Sequence, residues 1–175
     1  MANQAREVLD LDEVVMMVAG DPWQKTGARA VTPAEIRFDM VQAAVGDRSW
    51  LRASRLEIDR EGPTYTIDTV EVLRAQGCEV TVIVGTDAAN GLSTWHRIFE
   101  LVALCSFAVV GRPGLALGPM PLGSDYSVVD TMPIDAASAT LRSAVAAGHS
   151  IEFLVPDPVI QIIQRESLYG WVSHD

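Results

Sequence analysis

An α/β fold with a mainly parallel sheet and flanking helices is predicted by three features of this sequence. Short apolar runs rich in β-branched residues, at 14–19, 80–84 and 106–110, alternate with segments of helical period. Runs without polar alternation suit strands covered on both faces, as in a doubly wound sheet. Each run closes on a glycine (Gly20, Gly85, Gly111), and the alternation of strand with helix implies right-handed crossovers.

Element by element, Met1 to Asp10 reads as the tail of an amphipathic helix, with Ala5, Val8 and Leu9 on one side. Val14 to Ala19 is a buried-type strand opening into a loop that holds Trp23 and Lys25, the only lysine in the chain. Thr32-Pro33-Ala34-Glu35 starts a helix, with Thr at the N-cap, Pro at N1 and Glu at N3. Its buried stripe is Ile36, Met40, Ala43 and Ala44, and Gly46 stops it. Leu51 to Ile58 reads as a polar edge strand with Leu56 and Ile58 alternating against charges.

Gly62-Pro63-Thr64-Tyr65 is a loop, Thr66 is placed to cap a helix running to Gln76, and Gly77 ends it. After the strand at 80–84, Ser93 is placed to cap a helix carrying Trp95, Ile98, Leu101 and Val102. Ser106 to Val110 and Tyr126 to Asp130 are strands, separated by a Gly/Pro-rich loop. Ser138 is a candidate N-cap for a helix to Ala147, and Asp157-Pro158 starts a final Ile-rich helix.

The size of 175 residues suits one domain with a sizeable core. A net charge of −10 makes a nucleic-acid backbone an improbable partner, and any nucleotide site needs local cations. No apolar run reaches the ~18 residues of a membrane span. Cys78 and Cys105 form no C-x-x-C pair and read as free thiols of a reducing cytosol.

Several residues carry two readings each. Gly85-Thr86-Asp87 is either a plain turn into a helix or a carboxylate at the rim of the sheet, able to accept from ribose hydroxyls. Trp95 is a core aromatic or a ligand platform, and Lys25 a solvated loop residue or a functional cation. Ser138 and Arg142 share one helix face near its N-terminus, where free N–H groups and a forked guanidinium suit phosphate; the alternative is a surface arginine. Arg112, before Pro113-Gly114, also fits turn chemistry. His96, His149 and His174 show no metal spacing and no nucleophile partner.

In order along the chain, Leu11-Asp-Glu-Val-Val15, Pro22-Trp-Gln-Lys25, Gly62-Pro-Thr-Tyr-Thr-Ile-Asp-Thr69, Gly85-Thr86-Asp87 with Trp95, Arg112-Pro113-Gly114 and Leu154-Val-Pro-Asp157 stand out. Together they resemble the bacterial nicotinate-nucleotide adenylyltransferase family, nucleotidyltransferases of Rossmann-like, doubly wound fold. The resemblance implies AMP transfer from ATP to nicotinate mononucleotide, with Mg2+ assisting, in the cytoplasm and in NAD biosynthesis. It implies that Thr64, Tyr65, Thr66, Gly85 and Trp95 frame the mononucleotide and Asp87 holds a ribose. It further implies that Trp23 and Lys25 form a loop over the site, and that Ser138, Arg142 and Arg112 hold ATP phosphates, Lys25 and Arg142 being the catalytic cations. The partners are small molecules, without nucleic acid or membrane; a homo-oligomer stays open.

Two departures accompany the resemblance. The family's Gly-Gly-Thr-Phe-Asp-Pro-x-His-x-Gly-His segment is absent from these 175 residues. The expectation is therefore a sheet whose first, central strand is missing, Met1 being an internal methionine of a longer protein. The phosphate motif reads Ala136-Ala-Ser-Ala-Thr-Leu-Arg142 against the family's Ile-Ser-Ser/Ala-Thr-x-x-Arg. Either Ser-Ala-Thr is kept and Arg142 comes one residue early, or the alignment is anchored on Arg142, with Ala137 in place of the first Ser and Ala139 in place of the Thr. A slip of one position turns a helix face by ~100°.

Overall fold

The computed structural model describes residues 1–21, 31–111, 114–130 and 137–172. Helices and strands alternate in the order α1 (Ala2–Leu9), β1 (Val14–Met17), α2 (Ala34–Val45), β2 (Leu51–Ser54), α3 (Thr66–Ala75), β3 (Thr81–Gly85), α4 (Thr86–Asn90) and α5 (Ile98–Leu104). They continue with β4 (Ser106–Val110), β5 (Tyr126–Val129), α6 (Ser138–Ala146) and α7 (Asp157–Arg165). The strands form two sheets, β1-β2 and β3-β4-β5, and the pairs β3·β4 and β4·β5 are parallel. The α/β expectation with parallel strands and flanking helices therefore holds.

Two compact units divide the chain, each assembled from two segments: Met1–Val14 with Gly62–Pro133, and Val15–Glu61 with Ile134–Asp175. In the first unit the register Val84↔Val109↔Val128 aligns the three strands. Successive residues of β4 face opposite sides. Phe107 and Val109 enter a core with Ile67 and Val70 of α3 and Leu101 and Val102 of α5. Ala108 and Val110 meet Val129, Ile83 and Leu9 of α1 on the other side. Helices thus cover both faces of β4, which is why its run is apolar without alternation. β3 is less enclosed, only Val84 of its five residues being fully buried.

The second unit centres on Val145, Ile151, Val159, Ile160 and Ile163, with Met40, Ala43 and Ala44 of α2 packed against them. α7 supplies Val159, Ile160, Ile162 and Ile163 as its buried face. Those positions fall at helical spacing, so the amphipathic reading of this stretch carries over directly.

Several local expectations are corrected. Four anticipated N-caps are displaced by one residue. Thr32 lies one too early, Pro33 being the N-cap, whereas Thr66, Ser138 and Asp157 lie one too late, after the N-caps Tyr65, Ala137 and Pro156, and open their helices. None of these helices has a side-chain cap bond. At α2 the reason is visible: the Thr32 hydroxyl donates to the Tyr169 hydroxyl at 3.3 Å, a tertiary contact that local capping chemistry does not anticipate. The stripe Ile36, Met40, Ala43 and Ala44 is half-buried, with Val45 the buried residue of α2.

β2 stops at Ser54 and not at Ile58. The Ile58 and Asp59 amides donate to Arg55 O in a turn, while the Arg55 guanidinium bonds Glu35 at 2.6 and 2.9 Å and Asp59 at 3.2 Å. Glu57, expected to point outward, is buried in that turn. The helix expected from Ser93 is broken too. A 3-10 turn, Leu92–Thr94, precedes an extended Trp95, and α5 begins only after Arg97, whose φ is +51°.

Candidate active site

Gly85 ends β3 with φ −80°, and α4 starts at the next residue. The Thr86 hydroxyl donates to Val110 O at 3.2 Å in a buried contact, tying the carboxyl ends of β3 and β4 together. A Cβ added at Gly85 or Gly111 would meet no atom within 4 Å, so the rim of the sheet there is open. Asp87 sits in the first turn of α4 and is exposed. A carboxylate at that turn is favoured by the helix dipole. Open space beyond parallel strand ends is where doubly wound sheets take ligands.

Two segments converge beside this rim. Tyr65 and Trp95, both half-buried, pack against the core cluster that includes Ile67, Val84, Ala89 and Leu92. The Tyr65 ring stacks on His96, centroids 4.1 Å apart and planes at 25°. Thr64 and Thr66 flank that ring and are half-buried as well. The structure therefore brings the Thr64-Tyr65-Thr66 segment together with the Trp95-His96 turn. Trp95 belongs to an extended linker, not to a helix, which leaves its indole free of helical direction.

Arg97 fixes this turn. Its guanidinium bonds Glu100 at 2.6 and 2.9 Å and Glu71 of α3 at 2.7 Å, with Asp68 at 3.8 Å. The bonds to Glu100 and then Glu71 raise the Arg97 pKa, and the Arg97 bond holds the Glu100 carboxyl below its ordinary value. Arg97 thereby pins the residue after His96 to the helix that follows Tyr65.

The second unit carries the other group of candidates. Ser138 is exposed at the first residue of α6, and Arg142, one turn on, is half-buried. The Arg142 guanidinium carbon lies 5.9 Å from the Tyr169 ring centroid. Arg37 of α2 donates from Nε to Thr32 O at 2.9 Å and from Nη2 to Gly20 O at 3.1 Å. Burial lowers the pKa of this arginine, with Tyr169 acting in the opposite sense. It lines an apolar groove of about 460 Å3 with Val18, Met40, Val155, Pro156 and Val159.

Trp23, Lys25 and Arg112 lie outside the described residues. His96, Arg37 and Tyr169 were not singled out from the sequence. For His96 a signal existed, namely its position next to Trp95. For Arg37 and Tyr169 none did, since the contacts of Arg37 with Gly20 and of Tyr169 with Thr32 span 17 and 137 residues. Among the described residues, no group of three or more His, Cys, Asp or Glu side chains is placed to hold a metal ion. None of the described helices is long and apolar enough to cross a membrane.

Comparison with known proteins decides the family. A profile of the cytidylyltransferase-like family matches residues 1–154. A probable nicotinate-nucleotide adenylyltransferase of Corynebacterium kroppenstedtii is 38% identical over 173 residues, covering 96% of this chain and 82% of that protein. The chain belongs to the bacterial nicotinate-nucleotide adenylyltransferase family, within the cytidylyltransferase-like proteins. A probable nicotinate-nucleotide adenylyltransferase of Streptomyces coelicolor is likewise 38% identical, over 96% of this chain and 90% of that one. Among solved structures, the Plasmodium falciparum nicotinic acid mononucleotide adenylyltransferase complexed with NaAD superposes with a TM-score of 0.73. It covers 97% of this chain and 92% of its own at 15% identity, a likeness of fold. Membership of this adenylyltransferase family makes the chain a nucleotidyltransferase relative, and the resemblance drawn from the motifs holds.

Proposed function

We propose that the chain is a cytoplasmic nicotinate-nucleotide adenylyltransferase of NAD biosynthesis, a single nucleotidyltransferase-like domain. It takes the Mg2+ salt of ATP and nicotinate mononucleotide as substrates and releases nicotinate adenine dinucleotide and pyrophosphate. The observation that carries this reading is the meeting of Tyr65 with the Trp95-His96 turn beside the open carboxyl end of β3. Family membership supports it independently.

In the reaction a phosphate oxygen of the mononucleotide attacks the α-phosphorus of ATP, and the bond from that phosphorus to the β-phosphate bridging oxygen breaks. Such a displacement depends on alignment and on stabilising charge, with no covalent enzyme intermediate. Thr64, Tyr65, Thr66 and Trp95 frame the nicotinate nucleotide, Gly85 leaves room for it, and Asp87 accepts from ribose hydroxyls. Ser138 and Arg142 hold ATP phosphates, joined by Arg112, with Trp23 and Lys25 acting over the site. Mg2+ enters with the triphosphate, since this ion characteristically keeps its waters and binds through substrate phosphates.

The test is incubation of the purified chain with Mg-ATP and nicotinate mononucleotide, following pyrophosphate release and the dinucleotide product. Turnover with nicotinate mononucleotide in preference to the nicotinamide form supports the reading. A second reading is favoured by one observation: in the phosphate motif at 136–142 the Ser-Ala-Thr run and Arg142 do not keep the family's spacing to one another. A nucleotide-binding relative with little or no turnover would bind the mononucleotide in a calorimeter and release no pyrophosphate.

A further inference from the structure

Tyr169 lies in the 3-10 turn Leu168–Gly170 that follows α7, and it touches three parts of the second unit. Its backbone takes φ +58° and ψ 26°, a left-handed conformation that a bulky side chain holds only where its surroundings impose it. Two contacts define the ring. The Thr32 hydroxyl donates to the Tyr169 hydroxyl at 3.3 Å, just ahead of α2. The guanidinium carbon of Arg142 on α6 stands 5.9 Å from the ring centroid. The body of the side chain packs against the cluster of Val145, Ile160 and Ile163.

We infer that Tyr169 is the positioning residue for Arg142: its ring, held by packing against the cluster of Val145, Ile160 and Ile163, keeps the guanidinium in the orientation that meets an ATP phosphate. This inference rests on the phosphate role proposed for Arg142. A free arginine side chain loses rotamer entropy when it engages a ligand. Stacking on an aromatic face removes much of that freedom beforehand, while the N–H edges of the plane stay open to phosphate oxygens. The aim of Arg142 is then set by a ring from the far end of the chain. Its one-residue displacement from the family spacing does not alone decide where the guanidinium points.

The test uses the full chain and two ligands, Mg-ATP and nicotinate mononucleotide, with dissociation constants from calorimetry. Removal of the ring in Tyr169→Leu is expected to weaken Mg-ATP about threefold to fivefold, the size of one partly exposed cation–π contact. The mononucleotide should bind as to the parent. Tyr169→Phe keeps the ring and should stay within about twofold of the parent for Mg-ATP. In an Arg142→Ala background, Tyr169→Leu should cause no further loss, because its effect passes through the missing guanidinium. Tyr169→Met serves the same comparison if the Leu variant does not unfold cooperatively. Unchanged Mg-ATP affinity in the ring-less variants overturns the inference, as does a loss that adds in full to that of Arg142→Ala. A Phe variant as weak as the Leu variant overturns it also, since the hydroxyl and not the ring would then matter. A parent chain that binds neither nucleotide refutes the adenylyltransferase reading itself, and the inference falls with it. Binding of the mononucleotide without Mg-ATP removes the ATP-phosphate role of Arg142 and this inference together, leaving the mononucleotide pocket standing.

Discussion

Asp87 is exposed at the first turn of α4, directly past the end of β3, and that placement makes it the side chain on which ribose recognition is expected to turn. Asp87→Ala should weaken nucleotide binding about tenfold, the scale of hydrogen bonds to a charged acceptor, whatever its effect on the thermal midpoint. Calorimetry with nicotinate mononucleotide, paired with a melting curve, separates the two effects. His96 stacks on Tyr65, so His96→Ala should loosen the Thr64–Thr66 segment and raise the mononucleotide KM with little change in kcat, while His96→Phe restores it.

The cysteines form a second test at the same scale. Cys105 is buried, which pushes its thiol up to about 11, whereas Cys78 is exposed. One thiol per folded chain should react with a thiol reagent at neutral pH and two after denaturation. The raised value also has a sign for stability. The buried thiol is tolerated below its ordinary pKa of 9.0, and as pH climbs from there towards about 11 the unfolded state gains by ionising.

At the scale of elements, the two arginine clusters act as clasps. Arg55 joins Glu35 of α2 to Asp59 of the turn after β2, and Arg97 joins Glu71 of α3 to Glu100 of α5. Hydrogen bonds from these arginines hold Glu35 and Glu100 below the ordinary carboxylate value of 4.5. Depressed carboxyls stabilise the fold above that value, and the contribution disappears as pH falls through the lower folded-state values. The thermal midpoint should therefore decline below pH 4.5, and Arg97→Met should flatten the decline. These pairs are partly exposed, so high salt should weaken them.

Gly20 belongs to the same scale, because an added Cβ would come within 2.6 Å of Glu57 O and 3.2 Å of Ile58 Cα. The segment after β1 and the turn after β2 approach too closely there for any side chain. Gly20→Ala is expected to cost about 1–3 kcal/mol in denaturant unfolding.

Across the whole molecule, stability is concentrated in β4, the middle strand of β3-β4-β5, with Phe107, Ala108, Val109 and Val110 all buried. Its amides should be the slowest to exchange with solvent, since they open only with the core. Phe107→Ala should cost about 3–5 kcal/mol, read from the denaturant midpoint at constant slope. The acidic surface, with a net charge of −10, should leave the chain unretained by a polyanion column at physiological salt.

Composition and period by themselves determined the α/β class, because short β-branched apolar runs such as 106–110, closed by glycine and alternating with helical segments, suit strands covered on both faces. Phe107 and Ala108 do enter opposite cores. The family was legible as a resemblance carried by the Gly62–Thr69 segment and the spacing from Asp87 to Trp95, and the relatives bear it out. Tertiary structure decided what no local window contains. Thr32 left its expected capping role for Tyr169, the β2 run was cut at Ser54 by the turn built on Arg55, and Trp95 moved out of the helix expected from Ser93. The physical reason is common to all three. Capping and periodicity act within a turn or two of chain, whereas hydroxyl pairs, guanidinium clasps and ring stacks join residues tens of positions apart, and their energies are as large as the local preferences they displace.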